Sequence, residues 1–499
     1  MGCSGHSNPA SPDNSDVIGR RLQSFDNPIA WEHPPGVNET YSLDSSTSTW
    51  TNPVPMGYTM GDIATEYGDA NLPVTAFVRH DSPVMQSRIE IVLVDGDQNQ
   101  FFMREFSYAQ DSGEIQQDYE FARHPAVEVT YRLADEGPIL GVNIVWGEYL
   151  GYEEDAQWEI AYRYLEFSAD EQGEWNTPPD VDEWQLVYNI PWAHETQPDL
   201  CVDYLSGDLY GACKVELCEM YQWGIFAARL QRNLPDPQWE ILSPVAQVDG
   251  DQKDFPSIDA GRFREATPEA AQWPTDQVAV VWSRLHPGAP EPYYKVYYND
   301  WALGNAPDST EAMVISENVS IESAILPKVE VMPYSSGLYQ GLSEAVITWA
   351  HHPFTPDHWV PYVMMVATPF IGPDYPGTAF RVDGFSNRCP DLSPYQGAEA
   401  GPGKGLVALA THYREEQEDT FIVRAATYSI STAQEEFVFS WEQEATVECV
   451  PQWVEANPFT GPSICLRNPD PPGWATDTFA LGWVEQGYYA YLAEGDTTR

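Results

Sequence analysis

A chain of 499 residues with 24 Lys+Arg against 76 Asp+Glu carries a formal net charge of −52. A surface that negative repels phosphate backbones and anionic lipid headgroups, which excludes nucleic acid as a partner and suits a salty medium where self-repulsion is screened. The sequence has no apolar run of the ~18 residues that a membrane span requires, so contact with a membrane is expected only through an anchor.

Residues 1–35 are rich in Ser, Asn, Pro and Asp, cannot build a core, and read as a flexible tether ahead of a single domain over 36–499. The start Met1, Gly2, Cys3, Ser4 is similar to the mature end of a bacterial lipoprotein, with Cys3 as the lipidated residue. Dual acylation of a Met-Gly-Cys start is a second reading, although His6 stands where that signal wants Ser or Thr. A plain surface cysteine is the third.

From there a three-part unit recurs, opening on Pro73, Pro125, Pro198, Pro256, Pro327, Pro390 and Pro451. Each proline begins an apolar strand. A second strand follows at Ile89 to Val94, Val142 to Trp146, Leu209 to Val215, Val278 to Trp282, Ala345 to Trp349, Leu406 to Ala410 and Phe479 to Trp483. A third, often aromatic, lies at Phe101 to Phe106, Trp158 to Leu165, Trp223 to Leu230, Tyr293 to Tyr298, Val360 to Val366, Phe421 to Tyr428 and Tyr488 to Leu492. A lone unit cannot bury both faces of its sheet, so the pattern predicts an all-β, seven-bladed β-propeller of four-stranded antiparallel blades. Outer strands are expected at Trp184 to Ile190, Trp239 to Val245, Ala312 to Glu317 and Phe437 to Trp441. The seventh unit lacks one, and the N-terminal segment Met56 to Thr65 is expected to close the last blade and remove its free edge.

Six cysteines remain beside Cys3. Cys201 and Cys213 stand at equal distances from Gly207, which predicts a disulfide across their hairpin. Cys218, Cys389, Cys449 and Cys465 would complete an even set, as in an exported protein, with connectivity left open; buried free thiols in a reduced protein are the other reading.

The unit Phe255 to Asp259 followed by Val280 to Ser283 resembles the repeat of sialidase-like secreted propellers, with weaker copies over about Asn71 to Gly495. The resemblance implies the fold and an extracytoplasmic setting, at a bacterial cell envelope or surface. It implies no activity: Ser42 to Trp50 echoes the family's Asp-box turn without its glycine, and the arginine triad has no match.

Just past the second strands the units place Asp95, Glu148, Glu216, Arg284, His351, His412 and Glu485, with His286, His352 and Arg414 close behind. Polar strand ends are ordinary in an acidic protein. Three successive units with Arg or His, however, read as a cationic sector that would bind an anionic group through Arg284, His286, His351, His352, His412 and Arg414. A zinc site from His351, His352, Asp357, His358 and His412 has no compact spacing to support it, and Asp95-Gly96-Asp97 and Asp249-Gly250-Asp251 read as turns, so no metal and no cofactor is expected.

Two functions fit. One is a lipid-anchored surface platform that binds a protein partner or an anionic glycan. The other is a carbohydrate-active enzyme, an acidic-polysaccharide lyase in which Arg284 neutralises a carboxylate and His351 or His412 takes the adjacent proton.

Overall fold

The computed structural model describes residues 48–50, 54–58, 63–67, 73–81, 86–94, 100–106, 122–134, 137–150, 157–169, 175–176, 184–188, 190, 193–203, 206–217, 220–234, 236–261, 277–287, 293–316, 323–333, 343–352, 360–368, 380–381, 387–395, 404–414, 421–433, 436–449, 463–466, 477–485 and 489–497. These form 30 β-strands, which assort into seven antiparallel sheets.

In chain order, sheet one pairs Ile63–Tyr67, Pro73–Asp81, Gln86–Val94 and Gln100–Phe106. Sheet two pairs Ala122–Ala134, Gly137–Leu150 and Gln157–Ala169, with Trp175–Asn176 and Trp184–Leu186 on its outer edge. Sheet three is Ala193–Val202, Leu209–Leu217, Gln222–Leu230 and Trp239–Asp249; sheet four is Lys253–Gly261, Gln277–His286, Tyr293–Ala302 and Met313–Val314. Sheet five is Ser323–Pro333, Ser343–His352, Val360–Thr368 and Phe380–Arg381; sheet six is Asn387–Tyr395, Lys404–Arg414, Phe421–Ala433 and Glu436–Cys449. Sheet seven takes Ser463–Leu466, Asp477–Glu485 and Tyr489–Thr497 from the C-terminal end, and its outer edge is covered by Ser48–Trp50 and Val54–Tyr58. The first strand of every sheet packs against the first strand of the next, and that of sheet seven returns to Ile63–Tyr67. The sheets therefore close into a ring, the arrangement of a β-propeller.

The recurring proline has a physical meaning that spacing alone did not give. Around Pro125, Pro198, Pro256, Pro327 and Pro390 the first strand slips register against the second, leaving two residues opposite one. The residue before the proline is left-handed in four of them: His124 (φ 51), Gln197 (φ 54), Phe255 (φ 56) and Leu326 (φ 55). Proline has no N–H to lose from the ladder, so it sits well in such a bulge, and the bulge re-aims the residues just before it. Bulges also lace the ring together. Phe255 N–H donates to Gln197 Oε1 at 2.7 Å, Ile258 N–H to Asp199 Oδ2 at 3.1 Å, and Val331 N–H to Asp259 Oδ2 at 2.6 Å.

Sheet one departs from this frame. Pro73 begins its second strand, so the segments expected second and third are its third and fourth, and Ile63–Tyr67 is its first. A proline that opens a plain strand and a proline in a bulge look alike in sequence. Pro451 lies outside the described residues. The expected closing segment accordingly splits: Val54–Tyr58 pairs with Tyr489–Thr497, while Ile63 onward belongs to sheet one.

The core lies in the seams between sheets. Trp146, Trp282 and Trp349 occupy one repeated place on the second strands and are at most 1% exposed. At about 150–250 Å² each and ~25 cal/mol per Å², each contributes roughly 4–6 kcal/mol before cavity effects.

The disulfide expected between Cys201 and Cys213 is absent, and both are buried free thiols. The hairpin pairs Val202 with Leu209 and Cys201 with Tyr210, while Cys213 stands opposite the Gln197–Pro198 bulge. Cys201 packs with Tyr210 and Val278 in the seam between sheets three and four; Cys213 packs with Leu200 and Val215 in the seam between sheets two and three. The two sulfurs thus lie on opposite faces of one sheet, because the hairpin register sets Cys201 opposite Tyr210, and Tyr210 and Cys213 stand an odd number of residues apart on one strand. Burial pushes both thiols well above their usual range. Peptide mapping without reduction should find both as thiols, reacting with Ellman's reagent only on unfolding; rapid labelling of native protein would contradict the seam assignment. Cys465 is likewise buried. Cys3 and Cys218 lie outside the described residues, as do the side chains of Cys389 and Cys449.

Candidate functional site

The ends of the second strands, the starts of the first and third, and the 4-to-1 connections all lie at one end of the sheets. There the bulges fix which residues share a level. Glu148, Arg284 and His351 pair with Ala122, Lys253 and Ala324, each three residues before its bulge proline. Glu216 pairs with His194 and His412 with Arg388, each one step out of that register. Successive strand residues occupy opposite faces, so the row of ionisable residues is not a single ring. Asp95 lies outside the described residues, and Glu485 pairs with Tyr489.

Arg284 continues the face of Val278, Val280 and Trp282, in the seam with sheet three. Its Nη2 is 2.5 Å from Asp251 Oδ2 and 3.1 Å from Asp249 Oδ2, and its guanidinium lies 5.5 Å from the Tyr297 ring centre. The hydrogen bond from Arg284 holds the Asp251 carboxyl below its usual range. Asp251 N–H in turn bonds Asp249 Oδ1, so Asp249-Gly250-Asp251 is a tight connection whose carboxylates serve this arginine. Beside it, Lys253 is 1% exposed and bonds Asp249 Oδ1, Trp223 O and Asp251 O. Asp254 receives Lys214 Nζ at 2.5 Å, Gln252 at 2.8 Å and Tyr294 Oη at 3.3 Å. Three cations and three carboxylates meet here, so the positive charge expected to await an anion is largely neutralised internally. His286 Nε2 lies 2.9 Å from Tyr297 Oη.

His351 continues Ala345, Ile347 and Trp349 on the face toward sheet four; it is 1% exposed, with its ring centre 4.9 Å from that of Tyr362. Sheet four thus separates Arg284 from His351, and each has its own tyrosine. His352, His412 and Arg414 hold strand positions opposite Ser323, Val423 and Phe421, and their side chains lie outside the described set.

The end of sheet two brings together groups that sequence reasoning left apart. Glu148 and Glu159 are register partners on the second and third strands, 0% and 3% exposed, on the face toward sheet one. Trp146 Nε1–H donates to Glu148 Oε2 at 2.5 Å, and Gln157 Nε2–H donates to Glu159 Oε1. Burial pushes the Glu159 carboxyl up to about 7, against the lowering effect of Gln157. One register step outward, Tyr149 pairs with Trp158 at 5.4 Å between ring centres, and the Arg123 guanidinium lies 5.3 Å from the Trp158 ring. The Trp158 N–H donates to His194 Nδ1 at 3.2 Å, so that nitrogen is bare and the ring proton sits on Nε2. Burial holds His194 below its usual range, opposed by Glu216. The mirrored ends Glu148-Tyr149 and Trp158-Glu159 were legible in the sequence once the hairpin register was known.

Glu159 also sets a pH dependence. Its carboxyl binds a proton more tightly in the folded protein than in the unfolded chain, so its stabilising contribution is full below about 4.5 and is lost as pH rises through 7. Full ionisation costs ~3 kcal/mol. Asp259, raised to about 6 by burial despite the Val331 N–H bond, acts in the same direction. Urea midpoints should fall between about pH 5 and about pH 8, and Glu159→Gln should flatten part of that fall. A midpoint that rises with pH would refute the assignment.

No family model matches this chain, and no curated protein matches it. Among solved structures it is similar to an alpha-L-arabinanase of Penicillium chrysogenum complexed with arabinobiose, with 11% identity over 76% of this chain and 93% of that one, at a TM-score of 0.40. It is also similar to an alpha-L-arabinofuranosidase of Fusarium graminearum with arabinobiose, with 10% identity over 82% of this chain and 98% of that one, at a TM-score of 0.41. An endo-arabinase from Bacteroides thetaiotaomicron is 12% identical over 62% of this chain and 96% of that one, at a TM-score of 0.30.

Proposed function

We propose that this protein is a carbohydrate-active β-propeller that holds a glycan across the strand-exit end of sheet two. The observation that carries this reading is the half-buried Trp158, flanked by Tyr149 and by the Arg123 guanidinium. An aromatic face beside fixed polar groups suits a sugar ring, whose C–H face is apolar and whose rim is hydroxylated. The Arg284 cluster is less suited, because its charges already satisfy one another. An anchor at Cys3 would present this site at an envelope surface.

A glycan array of neutral and acidic oligosaccharides tests the reading. Trp158→Ala and Arg123→Ala should each weaken binding by roughly tenfold or more. An array blank for the wild-type protein would remove it.

One observation favours a protein platform instead. Met220 and Tyr221, at the tip of the sheet-three hairpin on the same end, are 64% and 68% exposed, and Tyr221 has a left-handed backbone (φ 50). Exposed apolar tips suit a protein contact. Under that reading Met220→Ser with Tyr221→Ser abolishes partner capture and Trp158→Ala does not.

A further inference from the structure

Resting on the glycan reading, we propose that Glu159 and Glu148 are a catalytic carboxyl pair that hydrolyses a glycosidic bond of the glycan laid across the end of sheet two, Glu159 as general acid and Glu148 as the second carboxylate. Four observations converge. The two residues are directly opposed on neighbouring strands and share a face. Both are withdrawn from solvent, yet they lie at the strand ends, where the half-buried Gln157 stands over Glu159. Their surroundings differ: Glu148 Oε2 accepts from the Trp146 N–H, whereas burial raises the Glu159 carboxyl to about 7. A carboxyl pair whose environments drive the two groups apart is how one site presents an acid and a base together. Finally, Glu159 Oε2 is buried with no hydrogen-bond partner among the described residues, which leaves one carboxyl oxygen ready for a ligand atom.

The Trp158 platform lies on the other face of the same strand end, one residue from Glu159. A glycan crossing the end of the sheet meets the aromatic face on one side and the carboxyl pair on the other once Gln157 rotates aside. Directly opposed side chains have Cβ atoms about 4.5–5.5 Å apart, near the ~5 Å carboxyl separation of enzymes that retain anomeric configuration. In the first step Glu159 gives its proton to the bridging oxygen as the C1–O bond breaks and its electron pair passes to that oxygen, while a Glu148 oxygen bonds C1. In the second, water loses a proton to Glu159 and its oxygen bonds C1, and the Glu148–C1 bond breaks. One water is consumed, one glycosidic bond is split, and both carboxyls are restored.

The test uses the full chain, with para-nitrophenyl pentosides and hexosides and the oligosaccharides that the array retains. Expected is turnover by the wild-type protein, with the first-formed product of retained configuration by NMR. Glu159→Gln and Glu148→Gln should each cut kcat by roughly a hundredfold or more while leaving calorimetric glycan binding intact. The kcat decline above neutral pH should disappear in the residual activity of Glu159→Gln. Glycan binding without turnover, or turnover indifferent to Glu159→Gln, overturns the catalytic pair and leaves the glycan reading standing. A wild-type protein that binds no glycan and cleaves no glycoside removes both.

Discussion

Lys253→Met is expected to destabilise the protein by about 2–4 kcal/mol, read from urea unfolding, although it alters no residue of the proposed glycan site. Lys253 has three protons and three acceptors: the Asp249 carboxylate, the Trp223 carbonyl and the Asp251 carbonyl. Those acceptors come from the third and fourth strands of sheet three and from the connection into sheet four, so one buried ammonium ties two neighbouring sheets at their shared end. Burial holds the Lys253 ammonium below its usual range, against the opposing pull of Asp249. Methionine keeps the length of the stem and much of the packing, but it leaves two carbonyls without their donor and Asp249 with Arg284 as its remaining cation. Lys328→Met provides the contrast. Lys328 is 44% exposed and 3.9 Å from Asp199, and its loss should cost within about 0.5 kcal/mol. Equal effects at the two positions would mean that burial and full donation by Lys253 carry no special weight.

Deleting the chain through Tyr58 should lower the melting temperature by on the order of 10 °C and promote self-association, seen by light scattering. The strand Tyr489–Thr497 is paired on one side by Asp477–Glu485 and on the other by N-terminal segments, with Val54 opposite Leu492, Tyr58 opposite Tyr489 and Ser48 opposite Thr497. Removing those segments bares the outer edge of the last sheet along nine residues. A row of unpaired N–H and C=O groups invites another strand. A truncated protein that melts as the full chain does, and stays monomeric, would show that the N-terminal strands are accessory.

Much of the architecture follows from the sequence by itself. Strand alternation, the proline in each first strand from Pro125 to Pro390, and the tryptophan at the end of several second strands are local periodic signals, and they place the inner three strands of sheets two to six. The missing outer strand of the last unit likewise requires a donor from the N-terminus, because a sheet edge must be covered. Tertiary structure decided what depends on parity and on which faces meet. The hairpin register sets Cys201 opposite Tyr210, an odd number of residues from Cys213 on the same strand, which puts the two cysteines back to back despite their equal spacing from Gly207. Arg284 and His351 end the second strands of successive sheets and each faces the sheet before its own, so sheet four stands between them. Charge count could not show that Arg284 already has Asp249 and Asp251, since those acids arrive from the preceding sheet. Nor could it show that Glu159 lies opposite Glu148, because the register that joins them is fixed by the whole hairpin packed between its neighbours.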